Sequence, residues 1–237
     1  MIYTIKDELN KYLEFDSSIL FNSTDFIVVF GGSLRDIIAG DSDDINDIDI
    51  MCLPKSRNIA TNILLSKGYK KLQLFTPDLF CLYKDIRCIF EPKTFVKDDK
   101  IVQLITPSVY SIDLHNKSNY SLGLIMQKNF FTLLKNVDMS SSGVVYDGKC
   151  LYESVKGSVD LIKNKKFFTM SDSLMYNKDR LTIRINNLIY KGWSQLKTKD
   201  IVFERVIKIS SIRSNFPFID NLEKSMVEDE YSIFKRR

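Results

Sequence analysis

The strongest constraint on the fold comes from an apolar run, residues 25–30, that leads directly into Gly-Gly-Ser at 31–33. The run predicts a buried strand, and the segment from Leu34 to Ala39 predicts a helix that follows at once. Glycines let a backbone approach a ligand closely, and the first turn of a helix offers unpaired N–H groups at the positive end of its dipole. The junction therefore predicts a cradle for a triphosphate, although it lacks a Walker sequence.

The next predicted strand, residues 46–53, begins with two acidic side chains that alternate with isoleucines. Asp47 and Asp49 are two positions apart, so on a strand both carboxylates point to one face. Neighbouring carboxylates repel each other unless a cation lies between them, and such oxygen ligands suit Mg²⁺ or Mn²⁺ that also binds substrate phosphates. We therefore predict that Asp47 and Asp49 are catalytic residues and metal ligands.

Each of these pieces also has a purely structural explanation when it stands alone. A single D-x-D is more often structural than functional, two glycines alone make a turn, and the acidic run 41–44 is typical of a solvated loop. The order of the pieces favours function, because a buried strand, Gly-Gly-Ser, a helix start and a strand with D-x-D follow one another.

Three other segments have weaker functional interpretations. Residues 143–150 nearly spell a P-loop, but Cys150 cannot supply the hydroxyl that binds Mg²⁺, so a strand ending in an Asp-Gly turn is favoured. The lysines and phenylalanines of 163–168 predict either nucleic-acid contact by charge and stacking, or a solvated turn with two core aromatics. His115, in a polar loop, is by default a surface residue.

Composition narrows the class of protein. The 237 residues, with a mass of 27.5 kDa, suit one large domain or two small ones. A net charge of +4 allows a nucleic-acid partner without requiring one. The single histidine excludes sites that need two, and four cysteines without a C-x-x-C pair disfavour a zinc ribbon or a dithiol redox site.

The sequence also indicates where the protein acts. No stretch approaches the ~20 apolar residues of a membrane span. The N-terminal residues carry acidic side chains among the apolar ones, which is unlike a signal peptide. We expect a cytoplasmic protein without a membrane partner, located in the host cytoplasm if the gene is viral.

Periodicity divides the chain into an α/β front, residues 1–157, and a helical back, residues 158–237. The front begins with an amphipathic helix and includes a β-hairpin with a turn at 97–100. In the back the strand signals fade. Helices are predicted over 122–134 in the front, and over 181–190, 201–212 and 222–234 in the back.

The motif GGSLRD at 31–36, followed by DIDI at 47–50, resembles the nucleotidyltransferase superfamily that includes DNA polymerase β. The match is most similar to class II tRNA nucleotidyltransferases, which are the CCA-adding enzymes, and to bacterial poly(A) polymerases. Looser matches follow in the family's order at 137–147, 156–161 and 180–193. The resemblance covers about residues 26–193, and only its first motif is specific.

The resemblance implies a polymerase-β-like α/β palm with a mixed sheet over residues 1–157, followed by a helical neck over 158–237. It implies metal-dependent transfer of a nucleotidyl group from a nucleoside triphosphate, ATP or CTP, to an acceptor hydroxyl, with release of pyrophosphate. Asp47 and Asp49 would bind the catalytic metals, and Asp36 would orient Arg35. The implied nucleotide-binding residues are Gly31, Gly32, Ser33, Arg35, Asp138, Arg180 and Arg184.

Several departures from the family pattern bear on the substrate. Asn136 and Val137 replace a pair of arginines, and Gln103 stands where a Glu is expected on the second strand of the hairpin. Glu91 and Asp138 both remain open as a third carboxylate. The sequence ends near the neck, so we expect the acceptor-gripping body and tail of the family to be missing.

Three functions follow as hypotheses. The first is transfer to an RNA 3′ end, as in tRNA nucleotidyltransferases and poly(A) polymerases, with a partner subunit or a homo-oligomer completing acceptor binding. The second is nucleotidylation of a protein or a small molecule, which the missing body favours. The third is an inactive nucleotide- or RNA-binding module, which Gln103 favours and which the two intact carboxylates oppose.

Overall fold

The computed structural model describes residues 1–23, 27–52, 54–72, 79–83, 86–107, 138–153, 155–170 and 178–197. In these ranges the helices are α1 (Ile2–Leu13), α2 (Ser18–Asn22), α3 (Gly32–Ala39), α4 (Pro54–Ser66), α5 (Ser158–Lys163) and α6 (Lys178–Tyr190). The strands are β1 (Ile27–Phe30), β2 (Ile48–Cys52), β3 (Lys70–Lys71), β4 (Leu79–Tyr83), β5 (Ile86–Lys97), β6 (Lys100–Pro107), β7 (Val144–Tyr146), β8 (Leu151–Glu153), β9 (Lys166–Phe167) and β10 (Ser194–Gln195). The predicted helices 122–134, 201–212 and 222–234, together with His115, Asn136 and Val137, lie outside the described residues.

A mixed sheet forms the centre of the described part of the chain. Its strand order is β3-β5-β6-β2-β1-β7-β8, and β4 also pairs with β5. Strands β2 and β6 run parallel, whereas the other neighbouring pairs of this sheet are antiparallel. This arrangement confirms the predicted mixed α/β class. None of the described helices is both long and apolar enough to cross a bilayer.

The predicted succession of strand, turn, helix and strand is present, with shifted boundaries. The residues of β1 from Ile27 to Val29 are buried, as their apolar character predicts. Helix α3 begins at Gly32, and β2 begins at Ile48 rather than at residue 46, because its ladder with β6 starts where Ile48 pairs with Val102. Asp47 therefore lies immediately before the strand instead of within it.

The predicted hairpin is confirmed and is longer than its sequence signal. Strands β5 and β6 stay paired from Phe90 opposite Pro107 to Lys97 opposite Lys100. Asp98 takes a left-handed conformation in the turn, with a φ of 52°. Because β6 lies beside β2, the hairpin places its own residues next to the acidic start of β2.

Helix α1 packs one apolar face against the sheet. In this helix, the hydroxyl of Tyr12 donates a hydrogen bond to the carbonyl of Asn46 at 3.2 Å and accepts one from the amide of Ile101 at 3.0 Å. These bonds hold the helix against the segments where β2 and β6 begin. The buried residues of its apolar face are Ile5, Leu9 and Leu13.

The chain after residue 157 packs on the same hydrophobic core as the chain before it. Strands β9 and β10 form a short parallel pair, which the fading strand signals did not predict. One continuous core therefore crosses the predicted boundary at residue 158, and the division into two domains stays a prediction. The core residues from this part are Val159, Ile162, Phe167, Leu188 and Trp193.

The two phenylalanines of the lysine-rich turn belong to the interior. Phe167 and Phe168 are both completely buried. Lys165 forms an ion pair with Asp41, with 2.7 Å between Nζ and Oδ1. Since buried rings cannot stack on bases, the interpretation of Phe167 and Phe168 as core aromatics is correct and stacking on nucleic acid by these rings is wrong. Contact of the lysines with nucleic acid by charge stays a prediction.

The segment that nearly spells a P-loop is a hairpin formed by β7 and β8. The carboxylate of Asp147 accepts hydrogen bonds from the amides of Lys149 and Cys150, at 2.8 and 2.6 Å, and from the hydroxyl of Tyr152 at 2.8 Å. A carboxylate that occupies the loop amides in this way leaves them closed to phosphate. The predicted strand with an Asp-Gly turn is confirmed.

Replacing Gly148 by alanine is expected to destabilise the protein. Gly148 has a φ of 92°, and a Cβ there would lie 2.5–2.9 Å from three atoms of Phe21, which packs edge-on against Tyr146. Strain and overpacking together should lower the free energy of unfolding by roughly 2–4 kcal/mol. Urea denaturation would measure this loss. The matched control is Gly157→Ala, where φ is 84° and no atom of the described residues lies within 4 Å of the added Cβ, and a loss as large in that variant would contradict the packing explanation.

Candidate active site

Gly31 makes the turn between β1 and α3. Its φ of 78° and ψ of −140° are strained for any residue with a side chain. A Cβ at this position would lie 3.6 Å from Oδ2 of Asp49. The glycine therefore brings the start of α3 next to the acidic residues of β2.

Ser33 lies in the first turn of α3. Its side chain is buried, with 4% of the residue exposed, and its hydroxyl oxygen has no hydrogen-bond partner among the described residues. A buried hydroxyl without a partner costs free energy, and ligands or ordered water usually satisfy such groups. Together with the unpaired amides of the helix start, this hydroxyl forms a donor set that suits phosphate oxygens.

Asp47 and Asp49 lie at the start of β2, close enough for their charges to interact. Burial first, and the negative charge of Asp47 second, raise the pKa of Asp49 to about 7, and the positive charge of Arg184 opposes them. Burial, and then the charge of Asp36, raise the pKa of Asp47. Because the pKa of Asp49 is raised even with Arg184 nearby, that single positive charge does not balance the two carboxylates, and a bound cation would relieve the remaining repulsion.

Gln103 occupies the position on β6 that is beside this acidic pair. In the parallel register it lies opposite Asp49, and its Nε2 donates a hydrogen bond of 3.0 Å to Oδ2 of Asp47. The resemblance predicts a carboxylate here. The amide instead fixes one carboxylate oxygen without adding negative charge.

The donor set fits a divalent cation that is shared with substrate. Within the described ranges, no group of three or more His, Cys, Asp or Glu side chains is arranged to hold a metal ion. Two carboxylates alone leave positions on the ion for water and phosphate oxygens, which is the usual manner of Mg²⁺ binding in proteins. Asp47 and Asp49 have the oxygen chemistry and the unrelieved charge for such an ion.

Arg184 connects α6 to the acidic residues. Its Nη1 donates to Oδ2 of Asp138 at 2.5 Å, and the side chain of Asp138 is 1% exposed whereas that of Arg184 is 40% exposed. The charge of Arg184 also lowers the pKa of Asp49, so Asp138, Arg184 and the acidic pair come together. Arg180 is one helical turn earlier on α6, and the side chains of Arg180 and of Glu91 lie outside the described part.

Arg35 is paired with its neighbour Asp36. Its Nε and Nη2 donate to the two carboxylate oxygens of Asp36 at 2.7 and 2.9 Å, and both side chains are largely buried. A Cβ on Gly32 would lie 3.5 Å from Nη2, so the guanidinium rests against the glycine turn. This contact agrees with the expectation from the resemblance that Asp36 orients Arg35. The nucleotide-binding role of Arg35 stays a prediction.

Two residues that follow α6 join this pair, and sequence reasoning assigned neither of them to the site. The ring centroid of Trp193 lies 5.8 Å from Cζ of Arg35. Nζ of Lys191 lies 3.9 Å from Oδ2 of Asp36 and 3.4 Å from Oδ2 of Asp44. The signals in the sequence are that both residues end the loose family match at 180–193 and that the single tryptophan of the chain follows Lys-Gly at a predicted helix end.

Replacing Gln103 by glutamate is expected to lower the melting temperature in metal-free buffer. The change removes the donor to Asp47 and adds a third negative charge, at a cost on the order of 1–3 kcal/mol. For a chain of this size that corresponds to roughly 2–10 °C, which calorimetry at pH 8 with EDTA would measure. The control is Gln195→Glu, at an exposed position on β10. An equal decrease in both variants would contradict the importance of the bond between Gln103 and Asp47.

The fold of the chain is similar to that of solved CCA-adding enzymes. A CCA-adding enzyme in complex with CTP matches it with a TM-score of 0.50 and 14% identity, over 84% of this chain and 43% of that one. An apo form gives 0.44 and 15% identity over 81% and 40%, and a complex with ATP gives 0.43 and 15% over 73% and 36%. The chain thus spans less than half the length of these enzymes. No family model and no curated protein matches it significantly, so the likeness supports a nucleotidyltransferase-like fold and nothing narrower.

Proposed function

We propose that this chain is a metal-dependent nucleotidyltransferase that moves a nucleoside monophosphate from ATP or CTP to an acceptor hydroxyl. The observation that carries the proposal is the close approach of the Gly31 turn to Asp49. A Cβ built on Gly31 would lie 3.6 Å from Oδ2 of Asp49. This approach supports the proposal because a helix start, which suits phosphate oxygens, lies beside two carboxylates whose pKa values are raised by burial and by neighbouring negative charge. Triphosphate and divalent cation are the ligands that satisfy both halves of this site at once.

Each residue of the site has a role in the proposed reaction. The start of α3 with Ser33 binds the β- and γ-phosphates, and Arg35 neutralises charge that builds up on them. Asp47 and Asp49 hold Mg²⁺ or Mn²⁺, which when bound polarises the phosphate under attack and lowers the pKa of the acceptor hydroxyl. Gln103 fixes Asp47, and Arg184 with Asp138 lies near the nucleotide.

The transfer is an in-line displacement at the α-phosphorus. The acceptor oxygen forms a bond to that phosphorus, while the bond from the phosphorus to the oxygen that bridges to the β-phosphate breaks. Pyrophosphate leaves with the electron pair of the broken bond, and the acceptor proton passes to solvent water. The protein contributes mainly position and electrostatics, which is how phosphoryl-transfer sites generally act.

We propose an RNA 3′ end as the acceptor. The likeness to a CCA-adding enzyme in complex with CTP supports a polynucleotide acceptor in preference to a protein. The net charge of +4 is compatible with a nucleic-acid acceptor, whose phosphates attract lysine and arginine side chains. A partner subunit or a second copy of the chain would supply any further acceptor surface.

The decisive experiment offers the purified protein α-labelled ATP, CTP, GTP or UTP with Mg²⁺, and a mixture of RNA and protein acceptors. Label on RNA, lost in Asp49→Asn, supports the proposal. Label on protein alone supports nucleotidylation of a protein and rejects the RNA acceptor. Release of labelled pyrophosphate from γ-labelled substrate distinguishes transfer from simple hydrolysis to phosphate.

A second candidate is a nucleotide-binding module without catalysis. Gln103 favours it, because an amide replaces the carboxylate that the resemblance predicts and donates to Asp47 at 3.0 Å. Equilibrium dialysis separates the two functions. Tight binding of a triphosphate without transfer to any acceptor would favour the module, and turnover would reject it.

A further inference from the structure

Three neighbours hold the guanidinium of Arg35. Asp36 accepts parallel hydrogen bonds from Nε and Nη2, at 2.7 and 2.9 Å. Gly32 leaves room for the group, since a Cβ there would lie 3.5 Å from Nη2. Trp193 lies at 5.8 Å from Cζ to ring centroid, within the range of a cation–π contact. Asp36 takes Nε and Nη2, whereas Nη1, 3.9 Å from a Cβ built on Gly32, is not bonded to Asp36 and is left for another acceptor beside the glycine turn.

Packing alone does not explain a tryptophan at position 193. Trp193 is 3% exposed and belongs to the hydrophobic core. Its Nε1 has no hydrogen-bond partner among the described residues, and a buried N–H without a partner costs free energy that a phenyl ring would not. The indole offers the strongest attraction for a cation among the aromatic side chains. The contact with Arg35 is therefore what tryptophan adds at this position.

The end of α6 directs this part of the chain back toward α3. Gly192 has a φ of 83°, and its amide and that of Trp193 donate to the carbonyls of Ile189 and Leu188, which closes the helix end. Lys191, in the same turn, lies near Asp36 and Asp44. Trp193 and Lys191 thus approach Arg35 and its counter-ion together, from the far side of the predicted domain boundary.

We propose that Trp193 is a positioning residue of the nucleotide site, which keeps the guanidinium of Arg35 flat against the glycine turn where it meets the triphosphate. The inference depends on the proposed function, because it deepens the same site. Without the indole ring of Trp193, the Arg35 guanidinium and the Asp36 carboxylate bonded to it can rotate together more freely. Nucleotide binding then weakens, while the chemistry at the two carboxylates of β2 is unchanged once nucleotide is bound.

The single tryptophan of the chain makes a direct test possible, because all tryptophan emission comes from Trp193 and responds to the surroundings of its ring, which include the guanidinium of Arg35. The full-length protein is titrated with CTP or ATP and Mg²⁺ without acceptor, and binding is measured independently by equilibrium dialysis. Saturation is expected to change the emission, and Arg35→Gln is expected to remove that change. The control is Lys67→Gln, which removes a second cation–π contact, 5.9 Å from Phe15, and leaves both signals unaltered.

Two substitutions of the ring complete the test. Trp193→Leu is expected to weaken nucleotide binding roughly 10-fold and to raise KM with little change in kcat, whereas Trp193→Phe should retain most of the affinity. Equal affinity of a folded Trp193→Leu variant and the wild type would overturn the inference. If the leucine variant does not fold, the wild-type titration decides: nucleotide binding with unaltered emission refutes the inference alone. A wild type that binds no nucleotide refutes the proposed function together with the inference.

Discussion

If the protein is the metal-dependent nucleotidyltransferase that we propose, replacing Asp49 by asparagine is expected to reduce nucleotidyl transfer by roughly 10³-fold or more, because a catalytic cation contributes several kcal/mol and each 1.36 kcal/mol is tenfold in rate. Asparagine keeps the shape of the side chain, so the loss reports the missing charge. Steady-state assays with saturating nucleotide would measure it. The matched control is Asp43→Asn, an exposed carboxylate of the acidic loop that precedes β2, which should leave the rate within twofold.

The same variant is expected to be more stable than the wild type in metal-free buffer at pH 8. Burial and the charge of Asp47 raise the pKa of Asp49 to about 7 from an ordinary value of 3.8, so ionisation costs the folded state stability above pH 7. The cost fades as the pH falls from 7 toward 3.8, below which the carboxyl is neutral in both the folded and the unfolded state. The Asp49→Asn variant avoids this cost, by an amount on the order of 1–3 kcal/mol.

Thermal unfolding at several pH values checks the sign of this effect. The advantage of Asp49→Asn should be largest at pH 8 and should vanish near pH 4. Loss of activity with unchanged or lower stability at pH 8 would mean that Asp49 is satisfied within the fold. Such a result would contradict the site that we assign to the two carboxylates.

Replacing Gly31 by alanine is expected to reduce transfer by roughly 10²-fold, the scale that a displacement of about 1 Å produces in a positioned reaction. A Cβ at Gly31 meets two constraints at once: the backbone conformation at φ 78° and ψ −140°, and Oδ2 of Asp49 at 3.6 Å. Relief of the strain moves the start of α3 relative to β2. The strain itself costs about 1–3 kcal/mol.

The Gly40→Ala variant is the control, because it introduces backbone strain in the same helix at a position away from the candidate site. Gly40 ends α3 with a φ of 82°, and in the part of the chain that the structure describes no atom lies within 4 Å of a Cβ built there. Gly40→Ala should lose about 1 kcal/mol of stability and keep its rate when measured well below its melting temperature. If both variants lose rate equally, general loosening of α3 explains the effect, and the close approach of Gly31 to Asp49 does not.

Local patterns predicted the parts of the fold in which neighbouring residues determine structure. The apolar run before the glycines is β1, the hairpin with a turn near Asp98 is β5 and β6, and the Asp-Gly turn at 147–148 joins β7 and β8. In each case strand propensity and a turn residue agree over a few positions. The start of β2 was predicted too early because the ladder with β6, a distant strand in sequence, sets it.

The contacts that complete the candidate site depend on residues far apart in the chain, and for this reason the sequence did not reveal them. Nothing near Gln103 indicates that its amide reaches Asp47, since this follows from the parallel pairing of β6 with β2. Nothing near Trp193 indicates Arg35 as its neighbour. The acidic pair was identifiable because its two members are only two positions apart in the sequence, at the start of β2, so their repulsion is a local property.

The position of β2 between β1 and β6 has a thermodynamic consequence. Ladders on both edges prevent the strand from moving to separate its like charges, so the folded state retains electrostatic energy that the unfolded chain dissipates. A divalent ion that binds only the folded form releases this energy and is linked to the folding equilibrium. The concentration of divalent cations would then contribute to the stability of the molecule, in addition to its hydrophobic core.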